Sequence, residues 1–110
     1  MLNNKKCVPC QGGIPPLNAD EISVYIKKIN SEWSIKEDKK IIKNFNFGTY
    51  KSAIKFSNQV AELSESQGHH PYIHINFKQV KIILYTHKIG GLHENDFLMA
   101  SKIDKLIISL

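Results

Sequence analysis

Between Ile73 and Leu84 the chain alternates: Ile73, Ile75 and Phe77 are separated by His74 and Asn76, and past Lys78 and Gln79 the residues Val80, Ile82 and Leu84 are separated by Lys81 and Ile83. A period of two puts every second side chain on one face of a strand, so two such runs divided by a short polar step predict a β-hairpin with one apolar face. An isolated hairpin is not stable in water, and its apolar face must be covered by something else. The flanking sequence supplies the cover. Gly48-Thr49 offers a break and an N-cap, after which Tyr50, Ala53, Ile54, Val60, Ala61 and Leu63 keep a helical stripe with Phe56 at its margin, and Gly68 is a natural stop. Beyond Gly90-Gly91, the residues Phe97, Ala100, Ile103, Leu106, Ile107 and Leu110 form a further amphipathic helix.

The first half repeats this plan more faintly. Residues 1–17 carry Cys7, Pro9, Cys10, Gly12, Gly13, Pro15 and Pro16, and read as an irregular arm ahead of a domain at 18–110. Asn18 and Glu21 have capping-box spacing, and Ile22, Ile26 and Ile29 continue at helical intervals, which predicts a helix over 19–31. Trp33–Asp38 and Lys39–Phe47 predict two strands around a charged turn. The order α-β-β-α-β-β-α makes the fold class α+β: a single domain with a four-stranded antiparallel sheet and helices packed on one face. A chain of 110 residues is long enough for one such core.

Charge narrows the function. The net charge is +5, and all fifteen basic residues are lysines scattered along the chain, without the arginine forks that read base edges or clamp phosphates. They read as a solvated surface, with no direct nucleic-acid partner. Apolar runs such as Ile82–Tyr85 are too short for a bilayer, and Met1–Lys6 lacks the apolar stretch of a secretory signal, so the expected location is cytoplasmic, with no membrane partner.

The remaining chemistry lies in His69, His70 and His87. Histidine is the side chain whose unperturbed titration lies nearest neutral pH, so a cluster suggests metal binding or proton transfer, against the plainer reading of a polar strand end. If the second hairpin turns at Lys78-Gln79, Phe77 faces Val80, Ile75 faces Ile82 and Ile73 faces Leu84. The same ladder extended sets Tyr72 opposite Tyr85 and His70 opposite His87 on the face away from the helices. Asp96, three residues after His93, has the spacing of a helix cap and equally of a carboxylate that orients an imidazole.

Glu65-x-x-x-His69-His70-Pro71, Phe77, Thr86-His87, Gly90-Gly91-Leu92 and Asp96 together resemble the pterin-4a-carbinolamine dehydratases, and Pro16-Leu17, Trp33, Phe45-x-Phe47, Ala53, Phe56 and Val60-Ala61 extend the resemblance along the chain. The resemblance implies loss of water from 4a-hydroxytetrahydrobiopterin to give quinonoid dihydropterin, in tetrahydrobiopterin recycling, by a homodimer or homotetramer that needs no cofactor or metal. It also implies catalytic roles for His69, His70, His87 and Asp96, with Gly68, His69, His70, Tyr85, Thr86, His87 and Lys88 holding the pterin. His70 and His87 would share acid and base duty, and His69 would assist. His93 stands where the family usually has Thr or Ser, and Ile73 and His74 stand where some relatives carry bulky aromatics. Two rival readings remain: a zinc site drawing on Cys7-x-x-Cys10 with histidines, and a protein-binding module acting as a dimerisation or transcriptional cofactor.

Overall fold

The structure, a computed structural model, describes residues 14–108. It contains α1 (Ala19–Ile26), β1 (Ser34–Lys36), β2 (Lys40–Asn46), α2 (Tyr50–Gln67), β3 (Tyr72–Asn76), β4 (Gln79–Leu84) and α3 (Glu94–Ile108), with a short 3-10 turn at His87–Ile89. The four strands form one antiparallel sheet in the order β1-β2-β4-β3. Cys7 and Cys10 lie outside the described residues, as does Leu110.

Local chemistry sets the helix starts. The Asn18 side chain accepts from the Glu21 amide at 2.9 Å while the Glu21 carboxylate accepts from the Asn18 amide at 3.0 Å, a reciprocal cap. Helix α1 is shorter than the 19–31 that periodicity predicts. The Lys28 amide closes it on Tyr25, and the Asn30 side chain then accepts from the Glu32 amide at 2.8 Å, turning the chain toward Trp33. Thr49 caps α2 by accepting from the Ser52 amide.

The core lies between the helices and one face of the two central strands. Ile41 and Phe45 of β2 and Val80, Ile82 and Leu84 of β4 meet Ala53, Phe56 and Val60 of α2, Ile22 of α1, and Phe97, Ala100 and Ile103 of α3. Phe56, placed at the margin by its spacing, is central: it is fully buried, with its ring 4.7 Å from Phe45 and 5.1 Å from Phe47. Tyr50 and Ala61 of the expected stripe face solvent instead. Buried Ser57 and Ser64 occupy the packed face because their hydroxyls bond back to the Ala53 and Val60 carbonyls.

Lys43 and the second hairpin also depart from expectation. Lys43, read as one of the solvated lysines, sits on the core face of β2 and is 8% exposed. Its ammonium donates to Asp104 at 2.7 Å and to Asn30 at 3.3 Å and lies 4.7 Å from the Phe45 ring centre, while Trp33 Nε1 donates to the other Asp104 oxygen. The cation is buried with its counter-charge, which is the condition for burying it at all.

The second correction concerns the hairpin. It turns at Phe77-Lys78, one residue earlier than expected, so Asn76 pairs with Gln79, Ile75 with Val80 and Ile73 with Ile82. The pairing of β4 with β2 sets Asn46 against Gln79, and the Phe47 amide donates to the Lys78 carbonyl at 2.9 Å, which fixes the turn from outside the hairpin. Phe77 therefore adopts φ 52, a conformation strained for a bulky side chain, and its ring stacks on Tyr50 in the open. Strand β3 is an edge strand. Ile75 and Phe77, expected in the core, are 44% and 63% exposed.

Removing the central ring tests this packing. Phe56→Ala should lower the free energy of unfolding by about 3–5 kcal/mol in urea titrations followed by circular dichroism.

Candidate active site

The shifted register rules out a His70–His87 pair across the ladder, since paired residues end at Tyr72 and Ile83 and both histidines lie beyond them. They come together by another route. At the end of α2, Gly68 takes φ 65, its amide bonds the Glu65 carbonyl, and the His69 amide bonds the Ser64 carbonyl at 3.2 Å. These two reversed bonds form a Schellman ending, and the left-handed residue they require is glycine at little cost. The chain leaves the helix abruptly, pointing His69 inward and leaving His70 exposed.

The opposite wall begins where β4 ends. Thr86 and Gly91 form an isolated bridge, with the Thr86 amide donating to the Gly91 carbonyl at 2.8 Å, and the loop between them carries His87 and Lys88. Gly91 has to be small: a Cβ there would lie 2.7 Å from Pro16 Cβ. The Leu17 amide, next in the chain, donates to the Leu92 carbonyl at 2.8 Å.

Gly68, His69, His70, Tyr85, Thr86, His87 and Lys88 line one cavity of about 310 Å³. Asp96 is not on its wall. It is completely buried behind His69, with Oδ1 2.7 Å from His69 Nε2 and Oδ2 accepting from the Thr86 hydroxyl at 2.8 Å and the His93 amide at 2.9 Å. The sequence left cap and orienter as alternatives for Asp96; the carboxylate does both. Because a carboxylate only accepts, the facing ring nitrogen of His69 carries the proton, and Nδ1 is the nitrogen Asp96 leaves unengaged.

The other two imidazoles are held more loosely. His70 Nε2 lies 2.6 Å from Glu65 Oε1, in a solvent-exposed pair that orients the ring and adds little stability. His87 packs on Tyr85 with ring centres 4.1 Å apart and meets Tyr72 in an edge arrangement with ring centres 5.9 Å apart. The hydroxyls of Tyr72 and Tyr85 are 3.3 Å apart, and this bond raises the Tyr85 phenol above its usual range. Tyr72 has no part in the motif read from sequence; it is expected opposite Tyr85, and although the shifted register pairs it with Ile83 the two hydroxyls still meet. Away from the cavity, burial and then the Glu94 carboxylate push the Tyr25 phenol upward as well. Among the described residues, no group of three or more His, Cys, Asp or Glu side chains is arranged to hold a metal ion.

The model of the family described as pterin 4 alpha carbinolamine dehydratase matches residues 15–106. The chain belongs to the pterin-4a-carbinolamine dehydratase family. A protein of Alkaliphilus metalliredigens named "Putative pterin-4-alpha-carbinolamine dehydratase" is 44% identical over 104 residues, covering 94% of each chain. One of the same name from Methylococcus capsulatus is 44% identical over 106 residues, covering 96% of this chain and 92% of its own. The solved transcriptional coactivator/pterin dehydratase of Brucella melitensis superposes with a TM-score of 0.77 at 26% identity, over 83% of this chain and 97% of that one. A pterin dehydratase-like protein identified as a RuBisCO assembly factor in the alpha-carboxysome superposes with a TM-score of 0.59 at 28% identity, over 68% of this chain and 88% of that one. The family resemblance read from Glu65-x-x-x-His69-His70-Pro71 and its companions thus agrees with membership. The dehydratase family is one of carbon–oxygen lyases, and the chain is an enzyme of that kind. Among the described residues of this dehydratase, no helix is long and apolar enough to cross a membrane.

The buried carboxylate gives a direct test. Asp96→Ala strands the Thr86 hydroxyl, the His93 amide and the His69 ring without their acceptor, and should cost about 3 kcal/mol of stability in chemical denaturation.

Proposed function

We propose that the enzyme removes water from 4a-hydroxytetrahydrobiopterin, giving quinonoid dihydropterin in tetrahydrobiopterin recycling, with His69, His70 and His87 as its acid/base groups. The observation that carries this reading is the convergence of the three imidazoles on one cavity of about 310 Å³. That volume lies at the lower end of small-ligand pockets and suits a bicyclic ring. Gly68, Tyr85, Thr86 and Lys88 complete the wall that would hold the pterin.

The reaction needs two proton transfers. The C4a hydroxyl takes a proton and leaves as water, while N5 gives up its proton and the electron pair of the N5–H bond forms the new C=N bond. Imidazole serves in either direction near neutral pH. His70 and His87 divide the acid and base roles. His69, fixed through Nε2 by Asp96, presents Nδ1 as a partner of set orientation, and Asp96 acts through it as a positioning residue.

Residues 18–110 then form the dehydratase domain, with 1–17 as an arm, working in the cytoplasm. Assembly into a dimer or tetramer is part of the same proposal. Its support is the open edge of β3, where Tyr72 and Ile75 are exposed beside Phe77 and Tyr50. The same surface favours the alternative of a protein-binding module, and the names of the Brucella coactivator and the carboxysome assembly factor belong to that alternative.

Stopped-flow measurement of water loss from freshly generated 4a-hydroxytetrahydrobiopterin separates the two. The wild-type chain should accelerate it, and His87→Ala and His70→Ala should each lower kcat by roughly a hundredfold or more. No acceleration by the wild type, or a His87→Ala variant as fast as wild type, sinks the catalytic reading. For assembly, light scattering should give a mass at least twice that of one chain, and Ile75→Lys should lower it by placing a charge on the β3 edge.

A further inference from the structure

We propose that His93 is a positioning residue: in the form whose Nδ1 accepts a hydrogen bond it caps α3 and fixes Asp96 behind His69, and protonation of that nitrogen releases the site. Three short contacts hold the turn at the head of α3. His93 Nδ1 accepts from the Asn95 amide at 3.0 Å, the His93 amide donates to Asp96 Oδ2 at 2.9 Å, and the Asp96 amide donates to the His93 carbonyl at 3.0 Å. The first two are the reciprocal bonds of an N-cap, with an imidazole where a hydroxyl or amide ordinarily serves.

An acceptor Nδ1 places the single proton of the neutral ring on Nε2. A second proton on Nδ1 removes the lone pair that the Asn95 amide uses and sets two N–H groups against each other. It also puts a positive charge at the positive end of the α3 dipole. A hydroxyl cap has no such second state. The consequence reaches the cavity through Asp96, because the carboxylate held by the His93 amide is the one that holds His69 at 2.7 Å. The titratable groups tied to this turn are Asp96 and Glu94 of α3, Tyr25 of α1, which donates to Glu94, and His69 from the end of α2. Thr86 contributes only a neutral hydroxyl, from the end of β4.

The consequence for turnover rests on the assisting role proposed for His69, whereas the coupling between His93 and His69 does not, so the test has two arms. In the first, imidazole nitrogen resonances of the full chain are followed between about pH 8 and 5. Wild-type His93 should show an acceptor Nδ1 at the upper end, and the His69 Nε2–H signal should shift or broaden in step with His93 protonation. In His93→Thr that step should vanish from His69. In the second arm, His93→Ala should lower kcat roughly fivefold with KM little changed, the population shift that a lost N-cap produces. His93→Thr and His93→Asn should restore the neutral-pH rate and lose less of it on the acid side than wild type. The proposal is overturned if His93→Ala leaves the His69 signal and kcat untouched, or if His93→Thr keeps the wild-type acid step in both arms. A chain inactive as a dehydratase whose His69 signal still follows His93 upholds the coupling and removes only the catalytic reading.

Discussion

The Asp96 carboxylate is the point on which the site depends. It is fully buried and takes donors from three separate parts of the chain: the Thr86 hydroxyl after β4, the His69 ring after α2 and the His93 amide at the head of α3. A buried carboxylate with fewer partners would cost several kcal/mol, so each donor is needed for the others to be tolerated. The three segments are thereby drawn to one place, and His69 is positioned as part of that requirement.

The buried Lys43 ammonium does similar work about two turns farther along α3. Asp104 joins Lys43 of β2 to the Trp33 indole, so the ion pair and the ring next to it connect the sheet, the turn before β1 and the last helix. Asp104 and Asp96, both on α3, face different tasks. Asp104 fastens the helix to the sheet, and Asp96 aligns its first turn with the cavity. By contrast, the His70–Glu65 pair stands in water, where it sets a ring direction and contributes little to the fold.

What the sequence disclosed follows from the range of each interaction. Caps are local, so Asn18 with Glu21, and Thr49, were legible, as was the Gly68 ending, whose left-handed backbone admits glycine most readily. The histidines that share the cavity were legible as a spaced set, yet the predicted route between them was wrong. Neither Lys78-Gln79 nor Phe77-Lys78 carries the glycine or asparagine of a favourable tight turn, and the choice between them is made by β2, through the Phe47 amide and the Asn46–Gln79 pair. Lys43 escaped for the same reason. Its burial depends on Asp104 and Asn30, residues distant in sequence, and no local pattern marks a lysine as paired. The imidazole cap at His93 was present in the sequence but took its meaning from a partner that folding supplies.

The contact of Gly91 with Pro16 bears on how the enzyme comes into being. Pro16 and Leu17 precede α1, and Gly91 and Leu92 precede α3, yet Pro16 and Gly91 meet closely enough to exclude a methyl group. Such a junction closes a loop that takes in α1, the whole sheet and α2, the kind of pairing that forms late because its entropic cost falls due before its reward. On a ribosome α1, β1, β2 and α2 emerge first, and β4, the loop bearing His87 and the carboxylate behind His69 follow them. The cavity and the part of the core supplied by β4, Leu92 and α3 are therefore completed together, and neither exists without the other.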